Sequence, residues 1–95
     1  MNVLDIQNKI SPVLKEYGVK RAAVFGSVSR GDDSPKSDID IMVSLGKPMG
    51  MFLYMSLIRE MENKLGRKVD LVTENSINKF VRPYIQSDLK VIYEG

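Results

Sequence analysis

Asp38 and Asp40 stand two residues apart within Ser37-Asp38-Ile39-Asp40-Ile41-Met42-Val43, and ten residues separate them from Gly26-Ser27, which opens Gly26-Ser27-Val28-Ser29-Arg30-Gly31. On an extended strand the two carboxylates share a face, roughly 7 Å apart at the backbone given a rise of 3.3 Å per residue. Like charges on one face are unfavourable without a cation between them. Oxygen-only ligands of this kind suit magnesium, manganese or calcium. Two-metal phosphoryl sites need cations about 3.5–4 Å apart, one lowering the pKa of an acceptor hydroxyl and one bridging a polyphosphate; a carboxylate pair can bridge them. Asp70, in Val69-Asp70-Leu71-Val72-Thr73, can complete a trio from a neighbouring strand. As a ligand of the hydroxyl-activating metal alone, it is also the candidate general base. Gly26 permits close backbone approach, successive N–H groups after it can form an anion nest, and the Ser27 hydroxyl adds a donor. The pattern points to metal-assisted phosphoryl chemistry.

Each residue also has a plainer reading. Asp70 taken alone is an ordinary solvated strand-end residue, and Gly26-Ser27 an ordinary turn. Arg30 either clamps a phosphate bidentately or pairs with Asp32 or Asp33. Met49, Met51, Met55 and Met61 either pack a helix or form an adaptable partner surface. Lys79, Arg82 and Lys90 either meet phosphates or an acidic partner, or lie on a solvated face. Tyr54, Tyr84 and Tyr93 could stack on a base, and nothing in the sequence selects among them.

Several elements must position these residues. Val3, Ile6, Ile10, Val13, Leu14 and Tyr17 recur at helical spacing, which predicts an amphipathic helix kinked or restarted near Ser11-Pro12 and ended by Gly18. Val19 to Phe25 reads as a buried strand stopping at Gly26. Ser29 to Lys36 reads as a loop after one possible helical turn. Asp38 to Val43 is a half-buried strand with Asp38, Asp40 and Met42 on one face and Ile39, Ile41 and Val43 on the other. Met51 to Leu65 is a second long helix stopped by Gly66. Val69 to Thr73 is a strand, Ser76 to Ser87 short helical pieces interrupted at Pro83, and Leu89 to Tyr93 a last strand. This order predicts an α/β (α+β) two-layer sandwich: a mixed sheet of about four strands, helices on one face and the carboxylate site on the other.

Ninety-five residues predict one compact domain, residues 1–95. The chain has no histidine and no cysteine, which excludes serine-histidine triads, thiol catalysis and ordinary zinc sites. No apolar run approaches the roughly 20 residues of a membrane span. The absence of cysteine and of a signal pattern in Met1 to Lys9 favours the cytoplasm. A net charge of +2 is too small to argue for a nucleic-acid surface. Locally the balance is acidic: Asp32, Asp33, Asp38 and Asp40 lie within nine positions, only partly offset by Arg30 and Lys36.

Gly-Ser, ten residues, Asp-x-Asp on an alternating strand and a later Val-Asp-Leu-Val resemble the signature of the DNA polymerase beta-like nucleotidyltransferase superfamily. In length and order the chain is similar to its minimal members, over nearly its whole length. The resemblance implies two magnesium ions held by Asp38, Asp40 and Asp70, ATP phosphates held by Gly26 and Ser27 with Arg30 beside them, and transfer of a nucleoside monophosphate to a hydroxyl with release of pyrophosphate. Many minimal members are antitoxins for HEPN-type toxins and adenylylate a tyrosine of that partner. Ser29 departs from the family, where alanine commonly precedes the arginine. Two other functions stay open: a non-catalytic antitoxin acting by occlusion, and transfer to a small-molecule hydroxyl. A domain this small leaves its site open, so a partner or second copy is expected to complete it.

Overall fold

Asn2 starts the first helix by accepting a hydrogen bond from the Asp5 amide at 2.8 Å, satisfying one of the donors a helix start leaves unpaired. The helix, α1 (Val3–Glu16), buries Ile6, Ile10, Val13 and Leu14 along one stripe. It runs unbroken through Pro12, where the sequence predicts a kink or restart. Proline removes the N–H that would reach the carbonyl of Asn8, an exposed residue that water can serve. The buried stripe outweighs that single loss. The structure, a computed structural model, describes every residue except 33, 35 and 77–81.

Strand β1 (Val19–Phe25) leads through Gly26 into the single turn α2 (Ser27–Arg30). Strand β2 (Ile39–Leu45) returns, helix α3 (Met51–Leu65) crosses over, and strand β3 (Val69–Thr73) follows. A 3-10 turn at Glu74–Ser76, helix α4 (Arg82–Gln86) and strand β4 (Lys90–Glu94) complete the described chain. Pro83 does not interrupt a helix. It stands in the first turn of α4, where a missing N–H costs nothing.

The four strands form one sheet in the order β3-β2-β1-β4. β1 runs antiparallel to β2 and β4, and β2 parallel to β3, so the sheet is mixed, as the element order predicts. Ile39, Ile41, Val43, Val24 and Ile92 meet Ile6, Ile10 and Leu14 of α1 and Leu57, Met61 and Leu65 of α3 in one core. The helices therefore cover one face. The opposite face carries Asp40 near one end of the strands, and buried Met42 and Ala23 further along. It is polar at both ends, with the carboxylates at one and Ser44 and Arg21, the latter paired with Glu74 at 3.2 Å, at the other. Among the described residues no helix is long and apolar enough to cross a membrane.

The methionines divide between core and surface. Met61 is buried and Met49 packs on the core, whereas Met51 and Met55 are exposed beside Leu53 and Phe52, the last 93% exposed. Leu57→Ala is expected to lower stability by about 2–5 kcal/mol, and Phe52→Ala to change it by no more than about 0.5 kcal/mol. Urea unfolding of the two variants checks the contrast.

Candidate active site

Sheet register assembles the site. Phe25 of β1 pairs with Asp40 of β2, and Asp40 pairs with Asp70 of β3. Both carboxylates thus stand in one row across neighbouring strands, with the turn at Gly26 beginning one residue beyond the row. Asp38 lies just before β2, exposed, as does Asp70 on its strand. Tyr54 of α3 ties β3 down by donating its hydroxyl to the Leu71 carbonyl at 2.8 Å. Burial, and then the charge of Asp70, raises that phenol's pKa, so it remains a donor at neutral pH. This fixed structural bond accounts for Tyr54 better than base stacking does.

The approach to Asp38 is held from the α3–β3 connection. Arg67 donates from Nε and Nη2 to the Ser37 carbonyl at 3.1 and 2.6 Å, and from Nη2 to the Ser34 carbonyl at 3.0 Å. The Ile39 amide donates to the Lys68 carbonyl at 2.9 Å. Glu62 accepts the Val69 amide at 2.9 Å and secures the start of β3. No local pattern marks Arg67 for this task, because its partners lie 30 and 33 residues away.

Asp40 is the electrostatic centre. Burial pushes its carboxyl pKa up, and the charges of Asp70 and Asp38 and a hydrogen bond with Asp70 push it further; Arg30 opposes the shift. Crowded carboxylates of this kind are what a cation relieves. Among the described residues, no three acidic side chains are already closed into a ligand shell. Asp40 and Asp70 stand together, and Asp38 acts on Asp40 through its charge. Oxygen donors only, with an upshifted carboxylate among them, fit a hard divalent cation.

Gly26 has φ +75° and ψ −150°, a region that essentially only glycine occupies. A Cβ there would lie 2.3 Å from Asp40 Oδ2. The turn therefore presses its backbone against the carboxylate, and α2 starts immediately after it. Ser27 is the first residue of α2, directly after the glycine that lies against Asp40. Arg30, at the far end of the turn, donates from Nε to Asp32 at 3.3 Å and from Nη1 to Asp88 at 2.7 Å. Asp33 and Lys79 lie outside the described residues. Lys90 is not simply solvated, since its Nζ donates to the Ser29 carbonyl at 2.6 Å. Ser29 is 2% exposed, and its hydroxyl donates to the Asp88 carbonyl. The departure from alanine at position 29 thus has a partner.

A mixed four-stranded sheet that sets paired aspartates beside a glycine-serine turn defines a nucleotidyltransferase, and the chain belongs to the polymerase beta nucleotidyltransferase family, whose model matches residues 8–95. A Methanocaldococcus jannaschii protein named as a candidate protein adenylyltransferase is 40% identical over 88 residues, 93% of this chain and 95% of that protein. The protein adenylyltransferase MntA of Thermococcus cleftensis is 35% identical over 63 residues, 66% of this chain and 64% of that protein. Among solved structures, a chain in a crystal structure of a toxin-antitoxin with AMP-PNP superposes with a TM-score of 0.80 at 25% identity, over 94% of this chain and 73% of that one. A candidate minimal nucleotidyltransferase gives 0.79 at 26% identity, over 95% of each chain.

Proposed function

We propose that this nucleotidyltransferase moves AMP from ATP to a tyrosine hydroxyl of a HEPN-type toxin, and that it serves in the cytoplasm as that toxin's antitoxin. The observation that carries the reading is the row formed by Asp40 and Asp70 with the Gly26 backbone pressed against Asp40. The relatives named as protein adenylyltransferases and the toxin-antitoxin structure with AMP-PNP support the acceptor and the nucleotide.

Asp38 and Asp40 would hold two magnesium ions, and Asp70 one of them. Magnesium, when bound, lowers the pKa of the acceptor hydroxyl and neutralises charge on the triphosphate. The amides that follow Gly26, the Ser27 hydroxyl and the Arg30 guanidinium would hold the phosphates. The acceptor oxygen forms a bond to the α-phosphorus while the bond to the pyrophosphate oxygen breaks; the hydroxyl proton passes to Asp70, and pyrophosphate leaves. The open carboxylate face gives a protein acceptor direct access.

With magnesium and a HEPN-type toxin, the wild type is expected to transfer label from α-labelled ATP to the toxin and release pyrophosphate. EDTA and Asp38→Ala should each abolish transfer. Absence of transfer by the wild type would overturn the adenylyltransferase reading. Full protection from the toxin by Asp38→Ala would instead assign the antitoxin effect to occlusion.

A further inference from the structure

We propose that Asp88 is a positioning residue for nucleotide binding, acting through Arg30: it holds the guanidinium of the residue that closes α2. The inference rests on the functional reading above. It starts from the shortness of α2, a single turn from Ser27 to Arg30 closed by main-chain hydrogen bonds from Arg30 to Gly26 at 3.1 Å, Gly31 to Val28 at 3.2 Å and Asp32 to Ser27 at 3.0 Å, too short to fix its own side chains. Besides Val28, which is buried in the core, it is held by the other end of the chain. The turn between α4 and β4, closed by the Asp88 amide on the Ile85 carbonyl at 2.9 Å, brings residue 88 beside it.

Three contacts join the two segments. The buried Ser29 hydroxyl donates to the Asp88 main-chain carbonyl, and Lys90 Nζ donates to the Ser29 carbonyl at 2.6 Å. These two fix the backbone of α2. The third is different in kind: the Asp88 carboxylate accepts Arg30 Nη1 at 2.7 Å, with the Asp88 side chain only 22% exposed and the Arg30 side chain 50% exposed. Asp88 is thus the more sheltered anchor and Arg30 the presented group. Asp32, the other partner of Arg30, is farther away at 3.3 Å and its side chain is 61% exposed, so it restrains the guanidinium less.

The held arginine belongs to the phosphate turn itself, because its amide donates to the Gly26 carbonyl at 3.1 Å. An arginine already fixed loses less side-chain freedom when it meets a phosphate. Asp88 therefore contributes to ATP affinity without touching ATP. The opposite role, competition with the triphosphate for Arg30, predicts the opposite sign and makes the inference testable.

The experiment measures the dissociation constant of ATP with magnesium by titration calorimetry for the wild type, Asp88→Ala, Asp88→Asn, Arg30→Ala and the Arg30→Ala/Asp88→Ala double variant. Asp88→Ala leaves the main-chain contact with Ser29 and the Lys90 contact in place, so its Tm should stay near that of the wild type. It should weaken ATP binding about 10-fold, as expected for loss of a charge-assisted restraint, raise KM for ATP similarly and change kcat less than about threefold. Asp88→Asn, which keeps an acceptor oxygen, should recover part of the loss. In the Arg30→Ala background the Asp88 substitution should add nothing. Unchanged or tighter ATP binding by Asp88→Ala, or a full additional loss in the double variant, would overturn the inference while leaving the transferase reading intact. A wild type that binds no ATP would overturn both.

Discussion

Asp40→Asn is expected to reduce nucleotidyl transfer about 10³-fold or more while raising the thermal stability of the metal-free protein. The first effect follows from the several kcal/mol that a bound cation contributes to phosphoryl chemistry, at 1.36 kcal/mol per tenfold in rate. The second follows from the position of Asp40. Burial, with Asp70 and Asp38 adding their charge, raises its carboxyl pKa in the folded chain. A raised folded pKa means that the folded state binds the proton more tightly than the unfolded state. Stability from this group is therefore fully present below the unfolded carboxylate value of about 3.9, and is lost as pH rises through the higher folded value. Near pH 7 the wild type carries that loss and the asparagine variant does not. Thermal melts without metal should show the variant higher by a few degrees, and the gap should close towards pH 4. Magnesium should stabilise the wild type and leave the variant nearly unmoved. A variant that melts lower than the wild type without metal would show that Asp40 serves the fold rather than a cation.

Gly26→Ala is the second large effect, and it acts on fold and site together. Its φ of +75° and ψ of −150° lie where a side chain is strained, and the added Cβ would meet Asp40 Oδ2 at 2.3 Å. Backbone strain of about 2–3 kcal/mol corresponds to a fall in Tm of about 10–20 °C for a domain of this size. The carboxylate must also move, so transfer activity should fall further than the melting point explains. Gly31, five residues on, also has a positive φ, +79°, but nothing lies within 4 Å of its Cβ position and its ψ of 16° is the ordinary left-handed conformation. Gly31→Asn should cost roughly 1 kcal/mol or less and leave activity near that of the wild type. Melting curves and transfer rates of the two variants make the comparison. Equal losses at both positions would show that the turn needs flexibility rather than contact with Asp40.

Much of the architecture was legible because it is written in short periods. The alternation from Ile39 to Val43 assigned each side chain to a face, and the structure buries Ile39, Ile41 and Val43 as that period requires. The bounds of β1 and α3 coincide with the runs from Gly18 to Gly26 and from Gly50 to Gly66, and β3 coincides with the run Val69 to Thr73. The helix does not restart at Pro12, and Pro83 does not interrupt one. Proline's cost depends on which carbonyl loses its donor and on how much apolar surface the helix buries, and neither is local. Among the site residues, the Asp-x-Asp pair and the glycine-serine turn declared themselves by spacing, whereas Arg30 remained divided between phosphate and a nearby acid. It pairs with Asp32, as one reading allowed, and also with Asp88, 58 residues away, which no local pattern can name.

By itself the sequence determined which residues could do chemistry, the absence of any histidine or cysteine to do it otherwise, and the order of helices and strands that carries them. Only the tertiary structure decided that Asp40 and Asp70 face each other across a parallel pair of strands, that the Gly26 backbone lies against Asp40, that Asp88 pairs with Arg30, and that Arg67 binds the Ser37 carbonyl. The division has a physical reason. Periodicity and turn chemistry act over a few residues and leave a mark on composition, while register and ion pairing join segments 30 to 58 residues apart and become visible only when the chain has closed on its core.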